Sequence, residues 1–311
     1  MEKKKLLIDT DIGDEIDDAL ALYFAMRQGF DIVGVTTVYK NTDERARITK
    51  MLMQKYGGGY ENVPVFAGHG TPMAEEITQY PHTCHYSEEL EGDCYAPDGN
   101  ADAAVDFIID ACKKWGDELV IVAIGPFTNI ARAIEKDADA LSGAGKIVIM
   151  GGAYFKQYAD WNVMCDVEAA EAMFSALSNI ECVGADVTHR LPLTKDQLDA
   201  LCNCRADGAA CEIARLTRLW REAVTDRLPA LHDPLAIYYA VCPDICKMVE
   251  QRIAVITQGA ARGLTLNIDA YGKAYMNFAA SIAADHATKV AFDVDAERFM
   301  RIFMDLFEKQ N

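Results

Sequence analysis

The residues that could carry chemistry begin with a crowded acidic segment, "LIDTDIGDEIDDALAL", which joins an apolar run to a helical pattern. Its acidic residues are Asp9, Asp11, Asp14, Glu15, Asp17 and Asp18. One or two of them could stabilise the start of the helix, because Asp favours the N-cap and first-turn acids interact well with the helix dipole. Four carboxylates held together would repel one another, and a hard cation removes that conflict. No His or Cys interrupts the segment, so the pattern predicts a cation site with oxygen ligands and disfavours zinc.

The elements that must position these residues alternate along the chain. Apolar runs typical of strands are separated by helical patterns, which predicts an α/β fold with an open, mostly parallel central sheet flanked by helices. The predicted strands are residues 5–9, 32–38, 118–124, 146–150, 181–186, 252–256 and 290–293. A long loop or lid is predicted at 71–100 and a mostly helical stretch at 191–240. Residues 1–311 show no repeat and no clear linker, so we interpret them as a single domain.

Polar motifs follow several of the predicted strands. Ligands of open parallel sheets bind beyond the carboxyl ends of the strands, so these motifs are candidates for a binding site. They read "TTVYKN", "GPFTN", "GGAYFKQYADWN" and "DVTH", and "HDPLA" begins a predicted helix. Each has a structural explanation when taken alone. Asp233 could be an N-cap with Pro234 as the first helical residue, and Thr128 and Asn129 could cap the helix after "GPF".

Taken in order, the motifs resemble the inosine-uridine preferring nucleoside hydrolase family. "DTDIGDEIDDALAL" is similar to the signature DTDxGxDDAxAL, with two more residues between Gly13 and the aspartate pair. "GVTTVYKN", "AIGPFTNIARAI", "VIMGGAY", "DWNVMCDVEAA", "GADVTH" and "HDPLAIYYA" follow in the family's order and span nearly the whole chain. The resemblance implies a Rossmann-like nucleoside hydrolase fold. It also implies calcium-dependent hydrolysis of the N-glycosidic bond of ribonucleosides, which yields ribose and a free base.

The resemblance further implies a role for each matching residue. The Ca²⁺ ligands would be Asp9, Asp11, Asp18, Asp233 and the backbone carbonyl of Thr128. The substrate would be bound by Asp17, Asn41, Asp160, Asn162 and Asp233. Asp11 would be the general base that takes a proton from water on the metal, and His232 the acid that protonates the departing base.

Two other functions stay open at this point. Phosphatases with an aspartate nucleophile and Mg²⁺ also begin with an apolar strand and a DxD, but "DTDIGDE" fits their usual continuation poorly. A non-catalytic protein that binds nucleosides or sugars on the same scaffold is the other alternative. The presence of Asp11 and His232 argues against it.

The composition of the chain limits which partners and which cellular location we expect. A net charge of -18 argues against nucleic acid or an anionic membrane surface as the main partner. The apolar run near the N-terminus, residues 6–8, is too short for a signal peptide, and no run is long enough for a membrane span. We therefore expect a cytoplasmic protein. The family resemblance implies a role in purine or pyrimidine salvage. The family resemblance implies a homodimer or homotetramer.

Three features stay open in the sequence. The longer turn brings Asp14 and Glu15 near the predicted metal site, where Asp14 could replace an assigned ligand. His82 and His85 lie in the long loop predicted at residues 71–100. That loop is interpreted equally well as a solvated surface loop or as a lid that touches the base. The base preference itself depends on such loops.

Overall fold

The computed structural model describes residues 4–74, 83–224, 226–271 and 286–308, in which strands and helices alternate along much of the chain. The strands are β1 Lys5–Thr10, β2 Asp31–Thr37, β3 Val65–Ala67, β4 Leu119–Ala123, β5 Lys146–Met150, β6 Ile180–Val183, β7 Cys246–Gln251, β8 Ile253–Val255, β9 Thr265–Asn267 and β10 Thr288–Val294. The helices are α1 Asp17–Arg27, α2 Thr42–Tyr56, α3 Ala101–Trp115, α4 Thr128–Ser142, α5 Trp161–Cys165, α6 Val167–Ala176, α7 Ala185–Thr188, α8 Lys195–Cys202, α9 Gly208–Ala223, α10 His232–Val241 and α11 Ala296–Glu308.

The main sheet confirms the predicted fold class. Within the described residues its eight strands run in the order β3-β2-β1-β4-β5-β6-β10-β7. Neighbouring strands are parallel except β10 and β7, which form an antiparallel pair at one edge. The strand order reverses at β1, whose neighbours are β2 and β4. A crevice is expected beyond the carboxyl end of such a strand, and this is where the acidic segment begins.

Side chains of β1 alternate between two cores, one on each face of the sheet. Leu6 and Ile8 lie in the cluster that contains Phe24 of α1, whereas Leu7 lies in the cluster that contains Ile108 of α3. A strand buried on both faces needs apolar residues at successive positions, which explains the unbroken run "LLI". This packing fixes the position at which β1 ends and the acidic segment leaves the sheet.

The strand predicted at residues 181–186 ends earlier than expected. β6 stops at Val183, and Gly184 precedes the short helix α7. Asp186 accepts hydrogen bonds from the backbone N–H groups of Tyr154, at 2.6 Å, and Phe155, at 3.3 Å. The prediction is wrong at this end because these bonds hold the segment against the loop that follows β5, where it cannot continue in the sheet.

The strand predicted at residues 252–256 lies outside the main sheet. β8 pairs with β9 in a separate antiparallel ribbon. The edge strand beside β10 is β7, which the sequence analysis missed because its exposed Lys247 and Glu250 weaken the apolar pattern. Charged residues of this kind are typical of an edge strand that faces solvent. Among the described helices, none combines the length and apolar character needed to cross a bilayer.

Candidate active site

Three aspartates converge where α1 meets α10. Asp17 and Asp18 occupy the first turn of α1, and Asp233 occupies the first turn of α10. Each offers a carboxylate oxygen, and these oxygens lie within 4.8 Å of one another. The three residues are buried, with at most 7% of their surface exposed. Within the described part of the chain, helix packing thus gathers carboxylates that are more than 200 positions apart in sequence.

The electrostatics of this aspartate cluster favour a bound cation. Burial raises the pKa of Asp17 to about 7, and repulsion from Glu15 and Asp11 adds to the shift. Burial also raises the pKa values of Asp18 and Asp233 well above their usual range, again with repulsion from neighbouring aspartates. A cation would relieve both the desolvation and the repulsion, and an all-oxygen donor set suits a hard ion. The residues present therefore fit a divalent metal.

Asp11 directly follows β1. It is not one of the described carboxylates whose oxygens lie within 4.8 Å of one another, but its negative charge raises the pKa of Asp17, Asp18 and Asp233. Burial raises the pKa of Asp11 itself to about 6, and the positive charge of Arg45 opposes that rise. A carboxylate with this pKa is mostly ionised at neutral pH and can accept a proton, which suits a general base.

Asp9 has a different environment from the cluster. Its Oδ1 accepts hydrogen bonds from Thr36 Oγ1 at 2.6 Å and Asn129 Nδ2 at 2.7 Å. Its Oδ2 is buried and has no hydrogen-bond partner among the described residues. If Asp9 is a metal ligand, Oδ2 is the atom that it would offer. Burial raises the pKa of this carboxyl to about 7.

Asn129 makes structural hydrogen bonds that the sequence analysis did not predict. Its Nδ2 donates to Asp9 Oδ1 and to the Thr37 carbonyl at 3.0 Å, and its Oδ1 accepts from the His69 N–H at 2.8 Å. The side chain therefore joins the start of α4 to β1 and β2. Neither Thr128 nor Asn129 caps α4, because both lie within the helix and no side chain caps it. A fully buried Asn directly after "GPFT" was the available signal.

Replacing Asn129 by Ala should destabilise the protein by about 1–3 kcal/mol, because buried acceptors lose their donor. The measurement is the urea midpoint of unfolding, with Asn203→Ala as a matched control. Asn203 is exposed and its Nδ2 donates to the Asp199 carbonyl at 2.7 Å, so its loss should change stability by less than about 0.5 kcal/mol. Equal midpoints for the Asn129 variant and the wild type would refute the proposed structural contact.

Thr128 is held by a neighbouring loop. Its Oγ1 donates to Asp166 Oδ2 at 2.6 Å, and the residue is fully buried. Asp166 also accepts from the Met73 N–H at 2.9 Å and caps α6. The hydroxyl therefore has a structural partner, and the backbone carbonyl is the group of Thr128 that the resemblance assigns to the metal.

Three of the predicted substrate-binding residues lie beyond the carboxyl ends of β2 and β5, whereas Asp17 and Asp233 belong to the cluster. Asn41 follows β2 and directly precedes α2. Asp160 follows β5 and caps α5, where its carboxylate accepts from the Asn162 N–H at 3.1 Å. Asn162 Nδ2 donates to the carbonyls of Ile124, at 2.9 Å, and Met150, at 3.1 Å, so it links the ends of β4 and β5. Burial raises the pKa of Asp160 to about 6.

His232 is the first residue of α10 and directly precedes Asp233 of the cluster. Its Nδ1 lies 2.7 Å from Thr188 Oγ1. Its ring meets His189 edge-on at 5.4 Å between centroids, and His189 meets Tyr158 in the same way at 5.0 Å. Burial lowers the pKa of His232 to about 4, helped by the nearby His189 and Arg227. The ring is therefore neutral at pH 7, and Thr188 leaves Nε2 as the nitrogen available to a ligand. Asp233 is not the N-cap of α10, since the helix begins at His232.

Comparison with known proteins decides which family has this arrangement. Residues 6–301 match the family described as inosine-uridine preferring nucleoside hydrolase. The chain belongs to this family. It is therefore a nucleoside hydrolase, an enzyme that hydrolyses N-glycosyl bonds of ribonucleosides. Family membership favours this activity over the phosphatase and the non-catalytic binding protein.

Similar proteins agree on the fold and differ in their named substrates. Uridine nucleosidase 1 of Arabidopsis thaliana is 32% identical over 277 residues, which cover 85% of this chain and 81% of the relative. A solved structure described as a plant nucleoside hydrolase, the PpNRh1 enzyme, has a TM-score of 0.81 at 28% identity and covers 99% of both chains. The purine-preferring ribonucleoside hydrolase from Gardnerella vaginalis has a TM-score of 0.78 at 26% identity and covers 98% of both chains.

The two acidic residues of the longer turn in this nucleoside hydrolase pair with groups on other elements, although the charge of Glu15 still raises the pKa of Asp17. Asp14 accepts a hydrogen bond from Arg45 Nη2 at 2.8 Å. Glu15 accepts from Trp220 Nε1 at 3.0 Å and from Arg227 Nη2 at 2.5 Å. Both carboxylates thus have cationic or N–H partners on other elements. Neither belongs to the group of close oxygens found among the described residues.

The described end of the predicted loop, from residue 83 onward, is docked against the acidic turn. The His85 N–H donates to the Gly13 carbonyl at 3.0 Å, and Cys84 Sγ donates to the same carbonyl at 3.3 Å. The His85 ring is fully buried, and burial lowers its pKa to about 4. A solvated surface loop is therefore the wrong interpretation for His85. His82 lies outside the described residues.

Proposed function

We propose that this nucleoside hydrolase uses Ca²⁺ to hydrolyse ribonucleosides, with Asp11 as general base and His232 as general acid. The observation that carries the proposal is the buried cluster of Asp17, Asp18 and Asp233, on which the charge of Asp11 acts. Calcium accepts six to eight oxygen ligands in flexible geometry, whereas Mg²⁺ requires a near-ideal octahedron and keeps several waters. The proposed ligands are Asp9, Asp11, Asp18, Asp233 and the Thr128 carbonyl.

Different protein groups would have different roles in breaking the N-glycosidic bond. When bound, the ion would orient the ribose and make a water proton easier to remove. Asp11 would take that proton as the water approaches C1′ from the face opposite the base, which implies inversion. The negative charges of the cluster would stabilise the oxocarbenium character that develops on the sugar. The ribose would be held by Asp17, Asn41, Asp160, Asn162 and Asp233.

His232 can serve as the acid although its ring is neutral. If the Thr188 hydroxyl donates to Nδ1, the ring proton resides on Nε2, from which it can donate a hydrogen bond to the departing base. A neutral donor of this kind stabilises a leaving group that gains negative charge. The neighbouring His189 and Tyr158 would line the same end of the site, where the base departs.

Replacing His232 by Ala should slow hydrolysis of ordinary nucleosides far more than hydrolysis of p-nitrophenyl riboside. Loss of general acid catalysis costs about 10²- to 10⁴-fold, and an activated leaving group does not need it. The measurement is kcat for both substrates in the wild type and the variant, and the activated riboside serves as an internal control. Equal losses on both substrates would remove His232 from the acid role.

A further inference from the structure

Arg45 of α2 is a fully buried arginine whose hydrogen bonds to described residues all go to two loops of the candidate active site. Its Nε donates to the Tyr39 carbonyl at 2.8 Å. Its Nη1 donates to the carbonyls of Asp11 and Ile12, the latter at 3.0 Å. Its Nη2 donates to Asp14 Oδ2 at 2.8 Å. The Arg45 side chain has no exposed surface, whereas the side chain of its partner Asp14 is about half exposed.

The acceptors belong to two loops that carry different parts of the proposed chemistry. The acidic loop, residues 11–16, lies between β1 and α1 and carries the proposed base Asp11. The ribose loop, residues 38–41, follows β2 and ends at Asn41. The two loops leave neighbouring parallel strands, but a shared sheet edge does not fix how two irregular loops lie against each other. A side chain that bonds to both can do so.

The ribose loop has a strained backbone that needs such support. Tyr39 and Lys40 have φ values of 68° and 58°, which residues other than Gly rarely adopt. Strain of this kind persists only where the surroundings hold it. The Tyr39 N–H donates to the His69 carbonyl at 2.8 Å and the Lys40 N–H to the Gly70 carbonyl at 2.7 Å. Arg45 holds the same turn from its other side, through the Tyr39 carbonyl.

We infer that Arg45 is a positioning residue for nucleoside hydrolysis, which ties the loop of the general base to the loop that binds ribose. The inference rests on the proposed function for the roles of Asp11 and Asn41. The planar guanidinium donates from three nitrogens and reaches acceptors on several sides at once. A lysine ammonium donates from one nitrogen only. Arg45 also explains how the longer turn is accommodated, because it pairs with Asp14 of that turn.

The test compares Arg45→Lys with two control variants in the full chain. Asp14→Asn removes the ion pair with Arg45 and leaves the bonds to the carbonyls. Arg47→Met removes an arginine of the same helix whose Nη1 donates to the carbonyls of Leu90 and Gly92, outside both loops. The readouts are kcat and KM for a hydrolysed nucleoside, the thermal midpoint, and amide hydrogen exchange of peptides that cover the two loops.

Arg45→Lys is expected to raise amide exchange in both loops and to lower kcat by about 10- to 100-fold, since small misplacement of catalytic groups has effects of this size. The controls should leave exchange of the ribose loop and kcat near wild-type values. Unchanged exchange in both loops of a folded Arg45→Lys variant would overturn the inference. Raised exchange without a change in kcat would show an ordinary structural role and would also overturn it.

The exchange measurement separates this inference from the proposed function. If the wild type releases no ribose from any nucleoside, the proposed function fails. Coupled exchange of the two loops would then still decide whether Arg45 ties them together. If Arg45→Lys does not fold, Arg45→Gln, which keeps part of the donor set without the charge, takes its place in the same comparison.

Discussion

Asp11→Asn should lower kcat for nucleoside hydrolysis by about 10²- to 10⁴-fold while the protein stays folded, because the variant keeps the shape of the side chain and loses the base. The comparison is made at a calcium concentration that saturates both proteins. Asp14→Asn is the matched control, since it removes a carboxylate three positions away whose partner is Arg45. Replacement by Ala at position 11 should likewise abolish turnover.

The pH dependence of wild-type activity is a second test of Asp11 as the general base. Burial raises the pKa of Asp11 to about 6, and a general base acts only when it is deprotonated. Activity should therefore fall as the pH is lowered through this region, and a bound cation would move the fall to lower pH. A fully active Asp11→Asn variant, or an unchanged acid limb in that variant, would reject Asp11 as the base.

Asp233→Asn should separate metal binding from stability. The variant removes one of the carboxylates that meet in the cluster, so calcium affinity should fall by more than about 100-fold, given that loss of an outer partner alone costs about 10- to 100-fold. In the presence of a chelator the same variant should have a higher thermal midpoint than the wild type. The reason is that repulsion and burial disfavour the charged form of Asp233 in the folded state.

The control for this prediction is Asp244→Asn. Asp244 lies just after α10, is largely exposed, and forms an ion pair with Arg298 at 2.8 Å. Its replacement should alter neither calcium affinity nor the effect of chelator on the midpoint. If Asp233→Asn binds calcium like the wild type, the aspartate cluster is not the metal site.

The sequence was sufficient for the parts of the site that local patterns determine. The apolar run of β1 and the acids that follow it place Asp11 at the end of a strand, and the helical pattern places Asp17 and Asp18 in a first turn. Parallel strands bring their carboxyl ends to one edge, so the approach of the other motifs was predictable. The ordered motifs then supplied the family.

Contacts between distant parts of the chain were not predictable in the same way. Asn129 contacts Asp9 across 120 positions, and Trp220 contacts Glu15 across 205. No periodicity encodes such pairs, because they depend on how whole helices pack on the sheet. The same limit explains why the strand predicted at 252–256 pairs in a separate ribbon and not in the main sheet. An apolar run of that length fits a sheet, but the run itself does not determine which strand it pairs with.

The measurement that tests the central claim most directly is ribose release from purine and pyrimidine nucleosides, in matched samples with and without removal of metal by a chelator. The proposal predicts that chelation abolishes release and that Ca²⁺ restores it, and the panel would identify the preferred base. Continued release from protein shown by elemental analysis to contain no calcium would contradict the assignment of the aspartate cluster as a catalytic calcium site.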